Sequence, residues 1–316
     1  MLQQTQVTRV IGAFTAFMER FPTVHALAAA EEQDVLAAWS GLGYYRRARL
    51  LQAAARSIVR SGGTVPRTAS ELAGLPGVGR YTAGAIASIV HGERAPIVDG
   101  NVARVLMRFH GIDAPTGDAS AMRRCWTESE RLVESAQDPG AFNEGLMELG
   151  ATICTPRAPR CEACPLADRC AVRADGDPER TPRPRKTTPR AVLHHLVVPV
   201  TCGERILLRR RPEDGLWAGM LECPTVESGT RRPGPAILDA LGVPGGSQRP
   251  PRLRREAQFV HLTSHREVHF TVYRPIVLEN PSEGRWCTAE DLPRMPMSTP
   301  QRRIVRAVLT RIIPDP

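Results

Sequence analysis

Val7, Val10, Ile11, Phe14 and Phe17 recur at helical spacing and predict an amphipathic helix over residues 1 to about 20. Its beginning is unusual. Met1 and Leu2 start the apolar pattern with no capping residue ahead of them, so the first-turn N–H groups have no side-chain partner and the pattern reads as a helix entered midway. Val35, Leu36 and Trp39 fit a short helix, and Leu50, Leu51, Ala54, Ile58 and Val59 fit another. The same periodicity covers residues 81–90, 101–110, 119–135 and 141–153, with Gly, Pro, Ser and Thr between the segments. The first half of the chain is therefore expected to be all-α.

Residues 171–190 break this pattern. They are proline-rich, hold Arg180, Arg183, Arg185, Lys186 and Arg190, and contain almost no apolar side chains, which predicts an extended or disordered tether. Beyond residue 191 the character changes again. Residues 195–200 and 205–208 are rich in strand formers, 268–277 alternate, and a helix is expected near 236–241. The division expected is an all-α domain over 1–170, a linker over 171–190 and an α+β domain over 191–316.

Composition narrows the partners. A chain of 316 residues suits two domains. A net charge of +9 and a pI near 9.6 suit a polyanion. Arginine supplies nearly all of the positive charge, because Lys186 is the only lysine, and this bias weakens charge as an argument for nucleic acid without cancelling it. No apolar run is long enough to span a membrane, and the first helix is too polar for a signal peptide, so a cytoplasmic protein, associated with the nucleoid, is expected; a monomer is expected as well. Eight cysteines without an export signal argue for a reducing compartment and a metal site.

Four of them, Cys154, Cys161, Cys164 and Cys170, are spaced C-x6-C-x2-C-x5-C. Such a set can hold a [4Fe–4S] cluster or a structural zinc. Zinc sites usually show two close pairs. One close pair between two longer arms favours the cluster, here as a brace for its loop (154–170). Cys125, Cys202, Cys223 and Cys287 are isolated and read as packing residues.

The stretch Leu75-Pro76-Gly77-Val78-Gly79-Arg80-Tyr81 opens one predicted helix, and Asp99 stands just before the next. Glycines at 77 and 79 let backbone N–H groups approach a phosphate at a helix N-terminus. Singly, the hairpin is a common turn and Asp99 a good N-cap. In this order, with the cysteines downstream, they resemble the helix-hairpin-helix and following Asp of the base-excision DNA glycosylases, the superfamily of endonuclease III and the MutY-type adenine glycosylases. The cysteine spacing is similar to the cluster loop of the same families. Met1-Leu2-Gln3-Gln4-Thr5-Gln6-Val7, Gly41-Leu42-Gly43-Tyr44-Tyr45-Arg46 and Phe142-Asn143-Glu144 resemble MutY motifs in the family's order. Arg209-Arg210-Arg211-Pro212 and Gly215-Leu216-Trp217-Ala218-Gly219 resemble the family's Nudix-like domain.

The resemblance implies a base-excision enzyme of duplex DNA that removes adenine opposite 8-oxoguanine or guanine. Asp99 would stabilise the positive sugar, with Tyr81 and Asn101 orienting the site. Glu144 would line the adenine pocket. Gln4, Thr5, Leu42, Tyr44 and Ser264 would meet the base opposite, Tyr44 as a wedge in the stack. Gly77 and Gly79 would hold a phosphate, and the four loop cysteines a [4Fe–4S] cluster. The bifunctional members carry a lysine where this chain has Tyr81, and no lysine precedes Lys186, so strand cleavage through a Schiff base is not expected. After Gly219 the sequence lacks the R-E-x-x-E-E helix of a Nudix hydrolase, which implies a recognition module. Thr263 stands where the family usually has an aromatic. In the family the general acid is a glutamate just upstream of Met-Leu-Gln-Gln, and the sequence in hand begins at that Met. The alternatives are a lesion-binding protein with impaired catalysis, or another helix-hairpin-helix glycosylase.

Overall fold

The computed structural model describes every residue except 3, 4, 6, 175, 185–188, 229–252, 280–283 and 313–316. The helix expected near 236–241, Gln4 and Lys186 lie outside the described residues. The chain forms two compact units. One joins residues 1–52 to 188–316, and the other is 53–187. The sequence-based division instead places residues 1–52 with 53–170. Contacts across more than 160 residues of sequence decide the grouping: Arg49 reaches the Ala218 carbonyl at 2.8 Å, Tyr45 the Met297 carbonyl at 3.3 Å, and Arg302 the Ser40 hydroxyl at 2.9 Å.

Among the described residues of 53–187 the regular elements are helices, joined by loops and one isolated bridge. It contains α5 (Ala69–Ala73), α6 (Arg80–His91), α7 (Gly100–Phe109), α8 (Ala119–Glu134) and α9 (Pro139–Glu148). Capping side chains fix where the helices start. Asp99, Asp118 and Asp138 accept backbone N–H groups at the heads of α7, α8 and α9, and Thr68 with Glu71 forms a capping box on α5. Gly92 ends α6 in the left-handed region, at φ +70°. The core gathers around α7, where Val102, Val105, Leu106 and Met107 bury against Ile97, Val98, Ile112 and Cys125. Small residues let the segments meet closely. A Cβ on Gly84 would stand 2.2 Å from the Pro96 carbonyl oxygen, and one on Gly150 would stand 2.9 Å from Asn101 Cβ.

Past α9 the backbone widens into a π-turn (Leu149–Ile153) and enters the cysteine loop. The expected tether is in part built into this unit. Residues Ala171–Ala174 form α10, Pro178–Arg180 a 3-10 turn, and Arg183 bridges Pro115. The cause is Arg108, whose buried Nε donates to the Thr181 carbonyl at 2.7 Å, together with Arg183 pairing with Asp113 at 3.1 Å. Proline and arginine content suggested a tether, but the arginines have local acceptors.

The other unit opens with α1 (Val7–Arg20), α2 (Val24–Ala29), α3 (Glu32–Ala38) and the first half of α4 (Arg46–Arg60), whose second half counts with residues 53–187. Two sheets follow. One has the order β5 (Thr225–Ser228), β1 (Ala191–Val197), β7 (Arg266–Tyr273), β6 (Arg255–Leu262), with β1 and β7 parallel and the other pairs antiparallel. The other runs β4 (Leu221–Glu222), β3 (Arg205–Arg210), β2 (Val200–Cys202), β8 (Ile276–Val277), with β9 (Arg285–Cys287) also on β3. A C-terminal helix, α11 (Thr299–Ile312), completes the core through Ile304, Val305, Val308 and Leu309, packed with Val197, Leu208 and Phe270. The strand expected over 268–277 is two strands, β7 and β8. Residues 221–228, directly after the Gly-Leu-Trp-Ala-Gly turn, are the strands β4 and β5 with the turn between them.

Candidate functional site

The glycine hairpin sits as the spacing predicts. Gly77 is at φ +78°, and Gly79 begins α6 with no side chain capping the helix. Backbone donors at the head of α6 are thus presented without a competing carboxylate or hydroxyl from the cap position, the condition for docking an anion.

Asp99 is half-buried at the head of α7. One carboxylate oxygen accepts the Val102 N–H at 2.7 Å, and no other hydrogen-bond donor reaches the side chain among the described residues. Tyr81, from the first turn of α6, lies close by. Burial and then the negative charge of Asp99 push its hydroxyl above the usual tyrosine range. That hydroxyl donates to Met147 Sδ at 2.9 Å. Tyr81 is thereby a neutral, fixed wall beside the carboxylate.

Asn101 is held from the opposite direction. Its Oδ1 accepts from Arg104 Nη2 at 2.9 Å, and the same guanidinium donates to the Gly150 carbonyl at 2.7 Å and the Cys154 carbonyl at 2.8 Å. One turn later the side chain of Arg108 donates to the Thr155 carbonyl at 2.7 Å, the Pro156 carbonyl at 3.2 Å and Cys154 Sγ at 3.4 Å. Two buried arginines therefore tie the helix that begins at Asp99 to the loop that begins at Cys154. Sequence reasoning missed both. The signal was present: charges at i and i+4 inside the otherwise apolar run Val102–Phe109.

Glu144 stands on the exposed side of α9, and no hydrogen bond joins it to Asp99, Tyr81 or Asn101. Its neighbour Asn143 is fully buried and keys the helix in place, donating to Ser88 Oγ at 2.8 Å and the Ala95 carbonyl at 2.9 Å.

Cys154, Cys161, Cys164 and Cys170 line one cavity with Ile153, Pro159, Ala167, Pro178, Arg108 and Arg173. Burial, and then the proximity of Cys154, Cys170 and Cys164, raise the Cys161 thiol, so the four sulfurs share one small volume. Among the described residues no three His, Cys, Asp or Glu side chains converge tightly enough for a single metal ion. A four-iron cluster needs no such convergence, since its thiolates sit on different irons at its corners. The donor set and its apolar rim fit the cluster. The other cysteines are buried packing residues, as expected.

In the other unit the structure brings together Thr5, Leu42, Tyr44 and Ser264. Thr5 Oγ1 donates to the Leu42 carbonyl at 3.4 Å and accepts from Arg47 Nη2 at 3.0 Å. Tyr44 is exposed, at φ +47°, with Arg47 over its ring at 5.5 Å and its hydroxyl hydrogen-bonded to that of Ser264. The Leu42 side chain differs from the expectation. It is buried, and its carbonyl is the acceptor that ties Thr5 and Arg47 to this loop. Thr263 closes its turn by accepting from the Arg266 N–H at 3.0 Å, which gives the residue a structural role in place of an aromatic contact.

Three family descriptions match this chain: "HhH-GPD superfamily base excision DNA repair protein" over residues 1–131, "Iron-sulfur binding domain of endonuclease III" over 154–170, and "NUDIX domain" over 196–307. The chain is 37% identical to the adenine DNA glycosylase of Homo sapiens across 97% of its own length and 66% of that protein's. It is 35% identical to that of Mus musculus, covering 97% of this chain and 69% of the mouse protein. For Schizosaccharomyces pombe the identity is 32%, over 98% of this chain and 78% of the relative. The chain thus spans about two thirds of the length of its mammalian relatives. A solved thermostable thymine-DNA glycosylase is 27% identical over 55% of this chain and 80% of its own, with a TM-score of 0.49. With its helical glycosylase domain, iron–sulfur loop and Nudix-like domain, the chain belongs to the adenine DNA glycosylase family of base-excision repair proteins.

Proposed function

We propose that this protein removes adenine mispaired with 8-oxoguanine, or with guanine, from duplex DNA, hydrolysing the N-glycosidic bond and leaving the strand intact. The observation that carries the reading is the setting of Asp99. Its carboxylate is fixed by one backbone N–H, flanked by Tyr81, and placed one helix after a glycine hairpin suited to a phosphate. Adenine, protonated as it leaves, takes the bond electrons and leaves positive charge on the deoxyribose; a pre-oriented carboxylate stabilises that charge without reorganisation until water adds at the anomeric carbon and loses its proton. A glycosylase of this kind takes the nucleotide out of the stack, and an aromatic such as Tyr44 fills the gap left behind. Glu144 is the carboxyl that we assign to the wall of the base pocket. The partner is duplex DNA, and the protein acts as a monomer in the cytoplasm.

When bound, the [4Fe–4S] cluster braces the loop of residues 154–170, held by Cys154, Cys161, Cys164 and Cys170. Arg104 and Arg108 connect that loop to the helix of Asp99, so the brace and the carboxylate share one frame. The monofunctional reading rests on Tyr81 in place of an amine.

The test is an Asp99→Asn variant on an adenine:8-oxoguanine duplex, with borohydride added to the parent reaction. Excision is expected to fall roughly 100- to 1,000-fold, on the scale of losing one electrostatic stabiliser, with binding retained. No borohydride-trapped adduct is expected. Equal excision by the variant, or a trapped covalent adduct, overturns the reading. Tight binding by the parent with no excision would instead favour a lesion-binding protein.

A further inference from the structure

The turn Gly215–Gly219 is strained in a way that its own sequence does not require. Trp217 has φ +56° and Gly219 φ +64°. A bulky residue in the left-handed region is uncommon and stands only where its surroundings impose it. Here the imposed shape turns two consecutive carbonyls outward to charged and amide donors. The Ala218 carbonyl accepts from Arg49 Nη2 at 2.8 Å. The Gly219 carbonyl accepts from Gln33 Nε2 at 3.2 Å and Arg210 Nε at 3.3 Å. The turn is closed behind them by the Gly219 N–H on the Pro212 carbonyl at 2.8 Å.

Arg49 is the centre of this arrangement. Its Nε pairs with Glu32 at 3.0 Å and its Nη2 with Glu213 at 3.4 Å, while Arg210 pairs with Glu213 at 2.8 Å. The guanidinium fills the space a side chain at 219 would need, since a Cβ there would stand 2.1 Å from Arg49 Nη2. Donors from α3, α4 and β3 thus grip one turn. The segment they fix carries Tyr44 in the loop between α3 and α4, five residues before Arg49. The turn itself packs through Trp217 on His261 of β6, at 5.7 Å between rings, and on Phe270 of β7, at 6.1 Å, and the turn of that β6–β7 hairpin carries Ser264, whose hydroxyl meets that of Tyr44.

We infer that Arg49 is a positioning residue for lesion recognition: it latches the 213–219 turn to residues 32–49 and so sets the separation of Tyr44 and Ser264. The inference rests on the functional reading above and deepens it. Two hydroxyls carried by segments 220 residues apart read one base only if their spacing is held, and the latch holds it. Arg49 does not itself meet the base. Lysine supplies one point charge instead of a planar fork, so it restores only part of the grip.

The experiment uses the full chain with Asp99→Asn as parent, which separates binding from excision. Affinity is measured for a duplex with adenine opposite 8-oxoguanine and for the same duplex with adenine opposite thymine. Arg49→Ala is expected to reduce the ratio of the two affinities about tenfold, mostly by weakening the lesion duplex. Arg49→Lys should recover part of the ratio. Gly219→Ala, which keeps the arginine but displaces it, should behave as Arg49→Ala does. Should Arg49→Ala fail to fold, Gln33→Ala together with Gly219→Ala gives the same comparison. In the Asp99→Asn parent, Ser264→Ala should cost less once Arg49 is gone, because the latch acts through that hydroxyl. A parent with a strong lesion preference and an Arg49→Ala variant that keeps it overturns the latch alone. A parent with no preference overturns the functional reading and the latch with it.

Discussion

At the scale of single residues, His195 is the clearest titrating group in the described structure. It is fully buried on β1, between Trp217 and Phe270, with neither ring nitrogen hydrogen-bonded. Glu227 Oε2 lies 3.5 Å from Nε2 without hydrogen-bond geometry. Burial, and then the positive charge of Arg211, lower the imidazole from 6.5 to about 4. The unfolded chain therefore takes up a proton before the folded one does. Stability is fully present above pH 6.5 and is lost as pH falls toward 4, by on the order of 3 kcal/mol in all. Urea unfolding at pH 7.5 and pH 5 should show this loss in the parent and little of it in His195→Leu; parallel curves for the two proteins would contradict the assignment. Arg104 is the second such residue. Its guanidinium serves Asn101, Gly150 and Cys154 at once, so Arg104→Met leaves buried carbonyls unpaired and is expected to cost about 3 kcal/mol. The visible absorbance and iron content of the purified variant should fall together with its melting temperature.

Among the elements, α7 connects sequence to chemistry. Asp99 caps it, its apolar side forms the core, and its arginines carry the cysteine loop. Leu106→Ala should cost 2–5 kcal/mol, the usual range for a buried leucine, measured by denaturant unfolding of the chain. Gly84→Ala tests the approach of α6 to the segment before α7. A methyl 2.2 Å from a backbone oxygen cannot be accommodated by a side-chain shift, so a loss of roughly 1–3 kcal/mol or more is expected where an open glycine such as Gly145 would tolerate alanine. These elements were largely legible in the sequence. The hairpin, Asp99 and the cysteine spacing are local features, and each states its own geometry: a glycine for positive φ, an acid before a helix, thiols within seventeen residues. The strap of residues 178–184 was not legible, because its fixation depends on Arg108, more than seventy residues upstream in sequence. The meeting of Tyr44 with Ser264 could be reached from the sequence only through family resemblance, since no periodicity links residues 220 positions apart.

At the level of the whole molecule, the charge of +9 and its supply almost entirely by arginine fit a protein that meets phosphates over a broad surface. Binding to undamaged duplex should weaken steeply with salt. The helix α1 presents two apolar sides. Val10 and Phe17 are buried, with Phe17 against Trp39 at 5.9 Å, whereas Val7, Ile11, Phe14 and Met18 are exposed at successive turns. The amphipathic pattern in the sequence is real, but it merges these two stripes, and only one packs. A contiguous exposed stripe favours self-association. The double variant Ile11→Gln, Phe14→Gln should therefore remain soluble at higher concentration with an unchanged melting temperature, as read by light scattering and thermal unfolding. Among the described residues no helix is long and apolar enough to cross a membrane.

The central claim is that Asp99 acts on an adenine nucleotide drawn out of the duplex. Its most direct measurement is single-turnover release of adenine by this chain, in excess over a duplex carrying adenine opposite 8-oxoguanine. Release of free adenine, with the strand broken only after alkali, and its loss in Asp99→Asn, is the predicted result. Binding of that duplex with no adenine released, or release that survives Asp99→Asn, would contradict the account.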